Sequence, residues 1–466
     1  MTDPVSAAAG PQVLVGLVVA VFVMIWLVLR TRVHALIALL AAASIAGLIG
    51  GMPANRVIDT ITTGFGNTLS TIGLVIGLGV MMGRILEVSG AGQRMAYAIL
   101  RLLGREREDW AMALTGYIVS IPIYCDSAYV ILNPLVRALS RKSGRSLITL
   151  GIALACGLLV THSALPPTPG PLGVAGIFEV DLGMMILAGV GFTIPSLIAM
   201  VLYVRYAGPR IEHMIERTHG FDPDVSHDDD AVMHAQETLP SLSRSLAPIV
   251  VPILLILGNT VLTGMARVYP ESDITASVFG QAMSFLGNPV IAVALGVLTA
   301  VYGLVPRMPR QQTLANLEKG VQSAGIILLV TGAGGALGAV LRESGAGDYI
   351  GQSIAAWALP TFLIPFLIAT LVRFVQGSGT VAMITGASIS APIVTTVPDV
   401  NLVLAAQAAC LGGLFFSYFN DSYFWVVNRM LGVTNAKHQM LVISLPTLLG
   451  WFIALLSLSV VYAITG

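Results

Sequence analysis

Charge is what this chain has least of. Only 10% of its 466 residues are Asp, Glu, Lys or Arg, and the 24 basic and 24 acidic residues cancel. With no basic field to offer, nucleic acid is excluded as a partner class. Cysteine is scarce as well. Cys125, Cys156 and Cys410 lie in apolar surroundings without CxxC spacing, so they read as small core residues, not a disulfide or zinc framework. No ATP-binding motif occurs, so any work the protein does draws on a gradient or a separate partner. No Lys or Arg precedes the apolar run Val13–Leu29, only Asp3. A cleaved leader needs a basic start, so the run reads as a retained first helix.

What is present is apolar: 56% of the residues are hydrophobic. A membrane helix needs about 20 largely apolar residues, and candidate spans fall near 12–29, 33–50, 67–86, 111–135, 147–163, 184–206, 246–263, 287–305, 321–341, 355–375, 380–395, 401–418 and 440–463. The expected fold class is an all-α polytopic membrane protein.

One stretch occurs twice. Val75–Gly92 and Val330–Gly347 match at nine of eighteen positions without a gap, at a constant offset of 255. Shared apolar composition alone does not produce that, so the chain reads as two related halves. Orientation follows from the basic loops. Arg30 and Arg32 place the first loop in the cytoplasm and the N-terminus outside. Arg101, Arg105 and Arg107, then Arg137, Arg141, Lys142 and Arg145, are cytoplasmic too, so 111–135 enters and leaves on one side as a re-entrant hairpin. Pro122 and Pro134 are expected to break it. Residues 207–245 form the only long polar stretch. No metal-ligand spacing recurs among His213, His219, His227, His234 and Asp228–Asp230, so a solvated cytoplasmic linker is expected there and no metal site. The division is thus 1–206 as a first membrane repeat with N-terminal helices, 207–245 as linker, and 246–466 as a second repeat. The first copy of the repeated stretch runs inward and the second outward. This is the inverted topology of many secondary transporters.

Ionisable groups inside apolar segments are costly and are functional candidates by default. Asp126, His162, Arg373 and Asp421 qualify, with Arg84 near a helix end, and the first four sit among helix breakers. Leu165-Pro-Pro-Thr-Pro-Gly-Pro171 is too rich in proline to be helix. Gln376-Gly-Ser-Gly-Thr380 suits an unwound turn whose amides and hydroxyls, followed by a helix N-terminus, hold an anion. The candidate substrate contacts are Ser127, His162, Ser163, Thr168, Arg373, Gln376, Ser378, Gly379, Thr380 and Asn420. Asp126, His162 and Asp421 are the candidate proton carriers. The bland alternatives are that Asp421 merely caps the helix after it, that backbone amides hold Asp126 at a hairpin tip, that His162 is structural, and that Arg373 reaches back to an interface.

Gly64-Phe-Gly-Asn-Thr68, Gly79–Gly92, Leu165-Pro-Pro-Thr-Pro-Gly-Pro171, Arg373–Met383 and Asn420-Asp-Ser-Tyr-Phe-Trp425 together resemble the gluconate permease family of proton symporters, from about residue 12 to the C-terminus. The resemblance implies uptake of sugar acids or related hydroxy or amino acids, driven by the inward proton gradient. The chain departs from the family pattern at Tyr124–Tyr129, at Thr168 and before Asn420, which admits a smaller or differently substituted carboxylate.

The expectation is therefore a secondary transporter of the bacterial inner membrane, not an enzyme. It would carry a small hydroxylated monocarboxylate with protons and need no cofactor beyond the gradient. Its partners would be the bilayer and a small organic anion, with a homodimer left open. Sodium coupling through Asn67 or Asn420 is the nearer alternative. An intramembrane aspartyl enzyme built on Asp126 and Asp421 is the distant one, since no Gly-x-Gly-Asp stretch occurs.

Overall fold

At membrane depth a backbone must satisfy its amides internally, and for runs without strand alternation the helix does so. The computed structural model describes residues 11–103, 106–217, 239–268, 276–346, 360–418 and 421–465. In order, the helices are α1 Pro11–Arg30, α2 Ala35–Ile49, α3 Ala54–Val88, α4 Ala91–Leu103, α5 Glu108–Val119, α6 Cys125–Ser143, α7 Leu147–Ala164, α8 Pro169–Phe178 and α9 Leu182–Arg217. There follow α10 Leu242–Val268, α11 Val278–Leu286, α12 Pro289–Leu304, α13 Arg310–Glu343, α14 Leu363–Gln376, α15 Gly379–Val394, α16 Leu402–Gly412, α17 Ser422–Leu431, α18 Ala436–Gln439 and α19 Leu445–Thr465. Among the described residues there is no strand. Six helical stretches among the described residues are long and apolar enough to cross a bilayer, or seven if α11 and α12, bent by 69° at their junction, count as one more. Val18, Phe22, Trp26, Leu74, Leu202 and Leu254 are exposed on the outside of the bundle, where lipid accommodates them. The chain is an all-α polytopic membrane protein.

Similar elements follow the two copies of the repeated stretch. Helices α3 and α13 end alike, on Ser89 and Ser344, and each is followed by a glycine in the left-handed region, Gly90 at φ 74° and Gly345 at φ 75°. After each long helix comes a helical hairpin, α5–α6 and α14–α15, then an interrupted helix, α7–α8 and α16–α17. The two long helices pack against each other and run antiparallel. Thr60 donates to Glu343 (2.9 Å), a Cβ on Gly64 would meet Gly335 O at 2.9 Å, and one on Gly320 would meet Met81 Cα at 3.1 Å. Small residues at the crossing let the backbones approach.

Three local expectations change. Pro134 does not break the hairpin, because α6 runs through it to Ser143; the break lies at 120–124, around Pro122. The proline run is irregular only over 165–168. Pro169 takes the first position of α8, where no intrahelical amide partner is lost, so Pro169-Gly-Pro171 opens a helix instead of preventing one. Helix α9 continues past Tyr206 to Arg217, and 218–238, which hold His219, His227, His234 and Asp228–Asp230, lie outside the described residues. Helices α4 and α11 are not among the expected spans; both are short.

The interrupted helix Leu147–Phe178 is the most enclosed span, 94% buried in its apolar window, so its polar groups face protein and not lipid. It is clamped by the hairpin beside it. A Cβ on Gly157 would stand 2.0 Å from Ala113 O. Gly157→Ala should therefore force α5 and α7 apart and cost about 1–3 kcal/mol, read as a lowered melting temperature of the purified protein. An unchanged melting temperature would show that this contact is not tight.

Candidate functional site

Breaks in the four inner helices bring polar side chains from both halves to one cavity of about 280 Å³. Helix α14 ends at Gln376 because Gly377 takes φ 91°, a conformation that side chains disfavour. Ser378 then caps α15. Its hydroxyl accepts from Val381 N (3.4 Å), while its own amide donates to the Gln376 side chain (2.9 Å). The amides of Gly379 and Thr380, in the first turn of α15, have no intrahelical partners and lie at the cavity wall.

Arg373, one turn before that break, is only 3% exposed. It donates from Nη2 to Asp421 Oδ2 (2.6 Å) and from Nε to Phe415 O (3.3 Å). Asp421 is the N-cap of α17, where Oδ1 accepts from Tyr423 N (3.2 Å), and Oδ2 also accepts from the Ser417 hydroxyl. The capping role expected of Asp421 is thus real, and an ion pair is added to it. Arg373 does not reach an interface; it points inward.

Asp126 is the second residue of α6, at the tip of the first hairpin. Its carboxylate accepts a long hydrogen bond from Ser422 Oγ (3.4 Å) and a weak one from Cys125 Sγ (3.8 Å). His162 lies in the last turn of α7, 8% exposed, with Nδ1 buried and lacking a hydrogen-bond partner; its ring is 5.9 Å from that of Tyr124.

Of the residues singled out in the sequence, Asp126, His162, Ser163, Arg373, Gln376, Ser378, Gly379, Thr380 and Asp421 line this one cavity. Ser127 does not; it faces a second cavity beyond the hairpin tip. Thr168 is buried and bonds its own turn, donating to the carbonyl of Leu165 and lying 3.3 Å from that of His162. Asn420 lies outside the described residues. Cys125, Leu159, Gly377, Ser422 and Tyr423 also line the cavity. Ser422 and Gly377 adjoin residues already noted, and Leu159 stands one helical turn before His162, so helix periodicity alone could have suggested it. Gln407 carried no such signal. From α16 it donates to Ala164 O (3.2 Å) and Met185 O (2.9 Å), closing the free carbonyl end of α7.

Chemically the cavity offers a fixed guanidinium, a helix N-terminus, hydroxyls and an imidazole. Those groups suit a small anion that also carries hydroxyls. Its volume is near the lower end of ligand pockets, about 300–1,000 Å³.

Comparison with known proteins bears on the family and the fold. A family model described as GntP family permease matches residues 12–464. An uncharacterized permease of Haemophilus influenzae is 53% identical, covering 98% of this chain and 93% of the relative. A gluconate permease of Pseudomonas aeruginosa is 33% identical over 90% of this chain and 91% of its own. Among solved structures, that of Neisseria gonorrhoeae MtrF, reported within a class of antimetabolite efflux pumps, superposes with a TM-score of 0.63 at 14% identity, covering 95% and 97% of the two chains. At that identity the likeness concerns the fold.

Proposed function

The chain belongs to the GntP family of permeases, and from that premise we propose that it is a proton symporter of a small hydroxylated monocarboxylate in the inner membrane. Gluconate is the first acid to test, because a relative of 33% identity is named a gluconate permease. The observation that carries the reading is the buried Arg373 beside the N-terminus of α15, in a cavity built from the broken helices of both halves. Here the substrate carboxylate takes the Arg373 guanidinium and the amides of Gly379 and Thr380. Ser163, His162, Ser378, Thr380, Gln376 and Asn420 serve the hydroxyls, and Asp126 carries the coupling proton. Asp421 stays with Arg373 as counter-ion and cap. Ser127 and Thr168 play no direct part.

The halves are read as inverted repeats that alternate access by exchanging conformations, each binding state loose enough for release. Support comes from the antiparallel packing of α3 and α13, which are equivalent at the offset of 255. On that reading 1–206 and 246–466 are the repeats, and the basic loops and the N-terminus lie on opposite sides.

The test is uptake into proteoliposomes with an imposed pH gradient, with and without sodium, for gluconate, glycerate and shorter hydroxy acids. Accumulation that follows the proton gradient and ignores sodium is expected. Accumulation that needs sodium would replace the coupling ion. Equilibration without accumulation would replace the carrier with a passive pathway.

A further inference from the structure

The sequence marks the last helix as a plain apolar span, yet one of its faces carries polar side chains. Ser444, Thr447 and Trp451 are spaced i, i+3 and i+7, so they share that face. All three contact the break between α16 and α17. The Ser417 amide donates to Thr447 Oγ1 (3.0 Å), and the Ser444 hydroxyl donates to the Ser417 carbonyl. Thr447 in turn donates to Ser444 O (2.9 Å). Ser417, Ser444 and Thr447 are fully buried. Trp451 meets the Phe415 ring with centroids 5.0 Å apart, and its indole nitrogen donates to Thr370 Oγ1 on α14 (2.9 Å). The register is set by a π turn, Met440–Ser444, which closes with Leu445 N donating to Met440 O. Its extra residue turns the rest of the helix by about 100°, one residue's step.

The break needs that support. Irregular backbone at membrane depth has no water to bond, and Phe416 sits at φ 26°, a conformation that persists only where neighbours fix it. Two contacts carry the support onward to the inner cavity. Ser417 Oγ donates to Asp421 Oδ2, the oxygen that Arg373 also holds. Phe415 O accepts from Arg373 Nε. We infer that Ser444, Thr447 and Trp451 are positioning residues for substrate recognition: through Ser417 and Phe415 they fix the Arg373–Asp421 pair in the orientation that presents Arg373 to the substrate carboxylate. None of the three lines the cavity, so they act only through that pair. The inference rests on the carrier reading above and extends its site to the last helix. A rigid guanidinium fork aims its third nitrogen only as well as the acceptors of the other two are fixed. That nitrogen, Nη1, lies at the start of α15, 4.0 Å from where a Cβ on Gly379 would stand.

Thr447→Val keeps the side chain's shape and deletes the acceptor, leaving the Ser417 amide unpaired. It should raise the KM for gluconate uptake about tenfold, a larger change than in Vmax. Thr447→Ser, which restores the hydroxyl, should restore KM. Melting temperatures add a readout that needs no substrate. Thr447→Val should lower the melting temperature roughly twice as far in the wild-type background as in Arg373→Met/Asp421→Asn, where no ion pair is left to misplace. Equal losses in the two backgrounds would overturn the positioning role and leave Thr447 a local partner of Ser417. So would an unchanged KM in Thr447→Val when the wild type accumulates gluconate. Unequal losses in a protein whose wild type accumulates no gluconate would keep the positioning of the pair and sink the carrier reading.

Discussion

Arg373→Met is expected to abolish uptake and to destabilise the protein by about 3–5 kcal/mol, because it leaves Asp421 buried without its cation. The two effects have different origins and can be separated. In Arg373→Met/Asp421→Asn neither partner is charged, so most of the lost stability should return. The carboxamide oxygen of the second substitution still accepts from the Tyr423 amide and so preserves the cap on α17. Uptake should not return, since no guanidinium remains for the substrate carboxylate. Arg373→Lys should also fail. An ammonium cannot reproduce the fork that reaches both Phe415 O and Asp421. The checks are melting temperatures for the three variants and initial uptake rates in proteoliposomes. If the double variant transports at the wild-type rate, Arg373 is only a structural partner of Asp421 and the substrate is held elsewhere.

That pairing also marks the limit of what the sequence discloses. Local chemistry was legible. Gly377 and Ser378 announce a helix end and a helix cap within two residues, and the repeat at an offset of 255 announces two halves before any packing is known. The hairpin over 111–135 followed from basic residues at both ends. Partnerships across the fold were not legible. Arg373 and Asp421 are 48 residues apart, and each looked like an independent intramembrane charge. Thr168 and Ser127 look equivalent to Ser378 in composition, yet one turns to its own backbone and the other faces away from the inner cavity. Gln407, an amide in an apolar run, discloses its role only through a carbonyl left free by the break after α7. Proline misled in both directions because its effect depends on register. Pro134 is tolerated inside α6, and Pro169 initiates α8.

The same geometry separates the two carboxylates that the sequence offered as equal candidates for the coupling proton. Asp421 is held by Arg373, Ser417 and the Tyr423 amide, so its charge is spoken for. Asp126 faces the same cavity with no cation within ion-pair distance among the described residues, and its hydroxyl contact, from Ser422, is long. Bringing a third carboxylate into that space, with the substrate, sets it against Asp126 in a poorly screened medium. On the proposed symport, a proton on Asp126 would remove the repulsion, so that proton and substrate would each favour the other's binding, by the reciprocity of linked equilibria. Asp126→Asn imitates the protonated form permanently. It should bind and exchange substrate across the membrane at rates near wild type while gradient-driven accumulation falls to the equilibrium level. Its substrate affinity should no longer vary with pH. Counterflow and pH-jump uptake in the same vesicles measure the two halves of this expectation. Accumulation in Asp126→Asn that still follows an imposed pH gradient would move the proton to His162 or Asp421 and leave Asp126 as a hairpin-tip residue.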